Sequence, residues 1–126
     1  MLILAIDTAL DACAVALLDT TAGALRAQET QAMTRGHAEA LMPMVARVMT
    51  AADVPFTALD RIVVTVGPGS FTGLRVGISA ARGLGLAADK PVVGVTTLSA
   101  FAAPFLAEGG GPIISLIDAR HDHVYM

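Results

Sequence analysis

The sequence has no tryptophan, one cysteine, one lysine and five aromatic residues among its 126 positions. A lone thiol, Cys13, makes neither an intrachain disulfide nor a four-cysteine zinc site, which suits a reducing compartment and makes the cytoplasm the expected location. Basic charge is scarce too: eight Lys and Arg stand against eleven Asp and Glu, a net charge of −3, and no basic run occurs. Phosphate neutralisation supplies most nucleic-acid affinity, so tight nucleic-acid binding by this chain alone is not expected. Long apolar runs are missing as well. The longest uncharged stretch, Pro91 to Ala107, has 17 residues and is broken by Gly94 and Pro104, whereas a membrane span takes about 20 continuous apolar residues. Met1 to Asp7 lacks a basic segment and so does not read as a signal peptide. No membrane association is expected.

What is present is small and apolar. Residues of the apolar class make up 55% of the chain, and 24 positions are alanine. This length fits one ordinary domain, able to bury roughly two thirds of its unfolded surface. Leu2–Ile6, Ala12–Leu18 and Leu25–Gln31 read as three strands of a meander. Leu41, Val45, Val48, Met49 and Ala52 then recur at helical spacing. Pro43 lies within that pattern, and either it falls in the first turn or the helix kinks there. Ile62–Val66 is a buried-type strand ending at Gly67-Pro68-Gly69, after which Ser70 is a plausible N-cap for a helix reaching about Ala88. Pro91–Val95 is a further strand, and Thr96 or Thr97 can cap a short helix. The order is βββαβαβ, an α/β fold. Gly109-Gly110-Gly111-Pro112 marks a joint, followed by a strand from Ile113 to Ile117 and another from His123 to Met126. A lone hairpin is marginal in water. The expected organisation is therefore a first lobe over residues 1–108 and the opening hairpin of a second lobe over 109–126, in a truncated chain.

The most informative segment is Gly67-Pro-Gly-Ser-Phe-Thr-Gly-Leu-Arg-Val-Gly77, a strand-to-helix turn whose helix repeats Gly73, Gly77, Ala81 and Gly85 every fourth residue. Each helical glycine costs about 1 kcal/mol against alanine, so close backbone approach is the expected return. The neighbour is the Leu41 helix, a helix of another chain, or the chain's own sheet. Phosphate binding at this turn is disfavoured, since it has no Walker lysine and Gly67, Gly69 and Gly73 are out of register for a dinucleotide fingerprint. The first hairpin turn, Asp7 to Cys13, contains no glycine, so its amides cannot cradle a phosphate closely.

Few residues offer chemistry. Asp7 reads as a turn-forming aspartate or a magnesium ligand. His37 has Leu41 four residues on, not a second histidine, and reads as a polar residue at a helix start. His121 and His123 would share a face if their segment were a strand, next to Asp118. Cys13 sits in an apolar run and reads as core. Neither Ser70 nor Ser79 lies in a G-x-S-x-G elbow. Met33, Met42, Met44 and Met49 suit either a core or an adaptable interface.

The glycine motif, the opening Ile3-Leu-Ala-Ile-Asp-Thr8, the His37-x-Glu39 to Pro43 helix and Asp118-Ala-Arg120…Tyr125 together resemble the TsaB (YeaZ) family, accessory subunits of tRNA threonylcarbamoyladenosine biosynthesis. The resemblance covers essentially the whole chain. It implies an ASKHA fold (actin/Hsp70/sugar-kinase-like, ribonuclease-H-like lobes) and a non-enzymatic scaffold with no catalytic residue, metal or cofactor. It also implies docking and activation of a TsaD-like paralogue, with a TsaE-like ATPase joining through the complex, a homodimer when alone and only indirect contact with tRNA. The interface expected on this reading comprises Gly73, Arg75, Gly77, Ala81, Arg82, Gly85, Leu41 and Met44. The alternative is an ASKHA-type ATP-binding enzyme or a glycoprotease-like hydrolase.

Overall fold

The computed structural model describes residues 1–126. β1 (Leu2–Asp7), β2 (Ala12–Asp19) and β3 (Ala24–Ala32) form the antiparallel meander, and β4 (Arg61–Thr65) and β5 (Val92–Val95) extend it in parallel, giving the order β3-β2-β1-β4-β5. Pairing sets Ile6 beside Val15 on one side and Val64 on the other. Alternation along these strands sends Leu4, Ile6, Cys13, Val15, Leu17, Ile62 and Val64 to one face. That face is covered by α1 (His37–Ala51) and α2 (Phe71–Ala88).

Helix α1 contributes Leu41, Met44, Val45, Val48 and Met49, all at most 3% exposed. Burying each such side chain is worth about 1.5–3 kcal/mol. The helix begins at His37, so Pro43 lies in its interior, where it lacks one ladder donor. Pro43 sits on the exposed side. The opposite face of the sheet carries Ala5, Ala14, Ala16 and Val63, and α3 (Thr97–Ala102) reaches it through Ala100.

Thr96, not Thr97, caps α3, its Oγ1 accepting from Ser99 N at 3.0 Å. The chain closes with a separate antiparallel pair, β6 (Ile117–Arg120) and β7 (His123–Tyr125). The strand expected from Ile113 begins only at Ile117, because residues 113–116 have no neighbouring strand to bond. No helix is long and apolar enough to cross a membrane.

Candidate functional site

Two turns meet at the end of β1. Thr8 is fully buried and its Oγ1 donates to the Gly73 carbonyl at 2.6 Å. Ser70 N donates to the Ala9 carbonyl at 2.7 Å, and Ser70 Oγ caps α2 by accepting from Gly73 N at 3.2 Å. The glycines make this approach possible: a Cβ on Gly69 would strike the Ala9 carbonyl, one on Gly73 the Thr8 carbonyl, and one on Gly77 the Thr8 Oγ1. Gly67, at φ 114°, occupies a backbone region that favours glycine, and its carbonyl accepts from Thr97 N at 2.9 Å. Two amides of the segment are thus already spent, and a carbonyl oxygen stands between the turns. A carbonyl there repels a phosphate.

The glycine ridge, expected from sequence to face a partner, lies here against the end of β1 and the chain's own sheet. Gly73, Gly77, Ala81 and Gly85 are all buried, Gly85 against Val92 and the Lys90 carbonyl of the same chain. Leu41 and Met44 belong to the core. Of the eight residues expected to face a partner, Arg75 and Arg82 are exposed. The reason is geometric: removing Cβ atoms from one stripe lets α2 settle onto its own sheet.

What α2 presents outward is the neighbouring stripe. Thr72, Arg75, Val76, Ser79 and Ala80 line an open groove of about 450 Å³ with Ala38, Leu41 and Met42 of α1. Leu41 forms its floor, and Met42 is 44% exposed at its edge. The methionines thus divide: Met44 and Met49 are core, and Met42 faces solvent. Sequence reading missed this groove because a glycine stripe is conspicuous and its neighbour at positions 72, 76 and 80 is chemically plain. The i, i+4 spacing of those three was the available signal.

The remaining candidates have local roles. Asp7 Oδ1 accepts from Thr65 Oγ1 at 2.8 Å and from Ala9 N at 3.0 Å, the bonding of a turn-forming aspartate. His37 is buried at the start of α1, with Nε2 3.1 Å from the Leu10 carbonyl, so that nitrogen must carry the proton. Burial, with Asp7 and Glu29 adding to it, pushes the Cys13 thiol above its ordinary value and keeps it an inert core group. His121 lies in the turn at φ 52°, and its carbonyl is 2.6 Å from His123 Nδ1, so the two histidines do not share a strand face. A cleft of about 860 Å³ separates the glycine loop from the β6–β7 hairpin, lined by Asp11, Ser70, Asp118 and Arg120 among others.

The family model for TsaD, tRNA N6-adenosine threonylcarbamoyltransferase, matches residues 26–126. The TsaB protein of tRNA threonylcarbamoyladenosine biosynthesis from Escherichia coli K12 is 40% identical, over 99% of this chain and 53% of its own. YeaZ from Pseudomonas aeruginosa superposes with a TM-score of 0.86 at 37% identity, over 98% of this chain and 57% of that one. The chain belongs to the TsaB (YeaZ) family. Its five-stranded mixed sheet with two helices on one face is accordingly a lobe of ASKHA type. A tRNA N6-adenosine threonylcarbamoyltransferase from Novosphingobium aromaticivorans also matches, at 34% identity over 85% of this chain and 36% of its own. The chain spans about half the length of the curated TsaB relatives it matches.

Proposed function

We propose that this chain is the first lobe, with the opening hairpin of a second from residue 109, of a TsaB-type accessory subunit in tRNA threonylcarbamoyladenosine biosynthesis. It acts as a cytoplasmic, non-catalytic scaffold that docks and activates a TsaD-like threonylcarbamoyltransferase through the outward face of α1 and α2. The observation that carries the reading is the open, largely apolar groove between Met42 and Val76. The first hairpin turn, Asp7 to Cys13, where an ATPase of this fold would wrap phosphate, meanwhile has no glycine, and its Ala9 carbonyl is taken up by Ser70 N of the glycine loop. A TsaE-like ATPase joins through the assembled complex. In the absence of the partner, the same helical face supports a homodimer.

Titration calorimetry against the TsaD-like protein of the same organism tests the docking. Met42→Glu places a charge at the groove and should weaken binding at least about tenfold, or about 1.4 kcal/mol; unaltered binding overturns the assignment. ATP turnover above a buffer blank that is abolished by Asp7→Ala would overturn the non-catalytic part. Transfer RNA is contacted indirectly, as a net charge of −3 without a basic stripe supports. Filter binding should give a Kd no tighter than the ~10⁻⁴ to 10⁻⁶ M of non-specific association, while modification in a reconstituted system requires this subunit.

A further inference from the structure

The chain carries six methionines and one cysteine, and folding sorts these sulfur groups by access. Cys13, Met44 and Met49 are at most 3% exposed, and Met33 is half-buried against the core. Burial also holds the Cys13 thiol above its ordinary value, which withholds the thiolate that oxidants attack. Met1 and Met126 stand at the two ends of the described residues. Met42 differs from all of these. It is 44% exposed inside a fifteen-residue helix, two positions from the fully buried Met44. It is also the one sulfur among the residues that line the groove between α1 and α2, most of which are apolar. The accessible thioether of the folded body therefore coincides with the surface assigned to docking.

Resting on the docking reading above, we infer that Met42 is a reversible oxidation site, through which a peroxide uncouples the free subunit from its transferase. The Met42 Sδ lone pair attacks one oxygen of hydrogen peroxide. The O–O bond breaks as the S–O bond forms, sulfur gives two electrons to the peroxide, and the other oxygen takes up the proton of the transferred one and leaves as water. The product is a polar sulfoxide whose oxygen accepts hydrogen bonds strongly. In the free subunit that oxygen faces water, so the fold tolerates it. Docking carries it into an apolar contact, where an acceptor without a donor is costly. The same oxidation at Met44 or Met49 would disrupt the core, and their burial prevents it. A methionine sulfoxide reductase restores the thioether, two thiols becoming a disulfide while the oxygen leaves as water.

The test treats the full-length subunit with hydrogen peroxide, maps the added oxygen by peptide mass spectrometry, and titrates the product against the TsaD-like protein of the same organism. Met42 should oxidise ahead of Met33, Met44 and Met49, and the oxidised subunit should bind about tenfold or more weakly. Methionine sulfoxide reductase should restore the starting Kd. Met42→Leu removes the reactive sulfur, so its Kd should be the same before and after peroxide. Met42→Gln imitates the polarity of the sulfoxide and should bind more weakly than Met42→Leu without any oxidant. Oxidation of Met44 or Met49 at the rate of Met42 overturns the inference, as does a loss of affinity that the reductase does not reverse or that Met42→Leu shares. Undiminished binding by the oxidised subunit overturns it too, and leaves the docking reading standing. If the untreated subunit does not bind the transferase, the docking reading fails and the inference falls with it.

Discussion

At the residue scale, glycines in one helix have opposite meanings. Gly77 and Gly83 both lie inside α2, yet a Cβ on Gly77 would run into Thr8 Oγ1, whereas one on Gly83 meets nothing within 4 Å. Gly77→Ala should therefore destabilise by about 1–3 kcal/mol through overpacking, exceeding the helix-propensity gain of about 1 kcal/mol. Gly83→Ala keeps only the gain and should stabilise by about 0.5–1 kcal/mol. Urea unfolding of the pair checks both signs. Equal effects would mean that Thr8 is free to give way. The sequence puts Gly77 on the four-residue ridge and Gly83 off it, but what that ridge meets is a threonine about seventy positions away along the chain.

At the element scale, α2 is seated by its cap as well as by its ridge. Ser70 receives Gly73 N on its hydroxyl and donates its own amide to Ala9, so the first turn of α2 and the end of β1 are joined through one residue. Ser70→Ala should cost about 1 kcal/mol in thermal or chemical unfolding, and the Ala9 carbonyl bond should survive because it uses the backbone. This cap was legible in the sequence, as were the three meander strands and both long helices. Capping chemistry and hydrophobic period are local properties of the chain. The run of α1 through Pro43 was not decided by sequence. The helix's tertiary contacts, with five side chains in the core, hold it together across one missing donor.

At the scale of the whole molecule, charge sets the acid response. Arg47 bonded to Glu29 across α1 and β3 holds that carboxyl below its ordinary value of 4.5. Backbone amides, Ala22 foremost, hold Asp19 below 3.8. A lowered folded value means the unfolded chain takes up protons first. This stabilisation is full above the ordinary values and is lost as pH falls through the lowered ones. Thermal melts should show Tm falling as pH drops from about 5 to 3. Both groups are solvent-screened, so added salt should shrink the change. Glu29→Gln should flatten it further, and a Tm profile unchanged by that substitution would rule out the Glu29 part.

By itself the amino-acid sequence determined the succession of elements, the caps at Ser70 and in the Thr96–Thr97 pair, the glycine turn after β4, and the scarcity of positive charge that argues against independent tRNA binding. It also carried enough motif to place the chain in its family. The tertiary structure alone decided which side of α2 is inside. A glycine carries no side chain to record its neighbour, so the ridge of Gly73, Gly77, Ala81 and Gly85 reads equally well against a partner or against the chain's own sheet. The choice rests on the bond from Thr8 Oγ1 to the Gly73 carbonyl, between residues 65 positions apart. That contact exists only once β1 and α2 have packed, and it turns Arg75 and Arg82 to the outside.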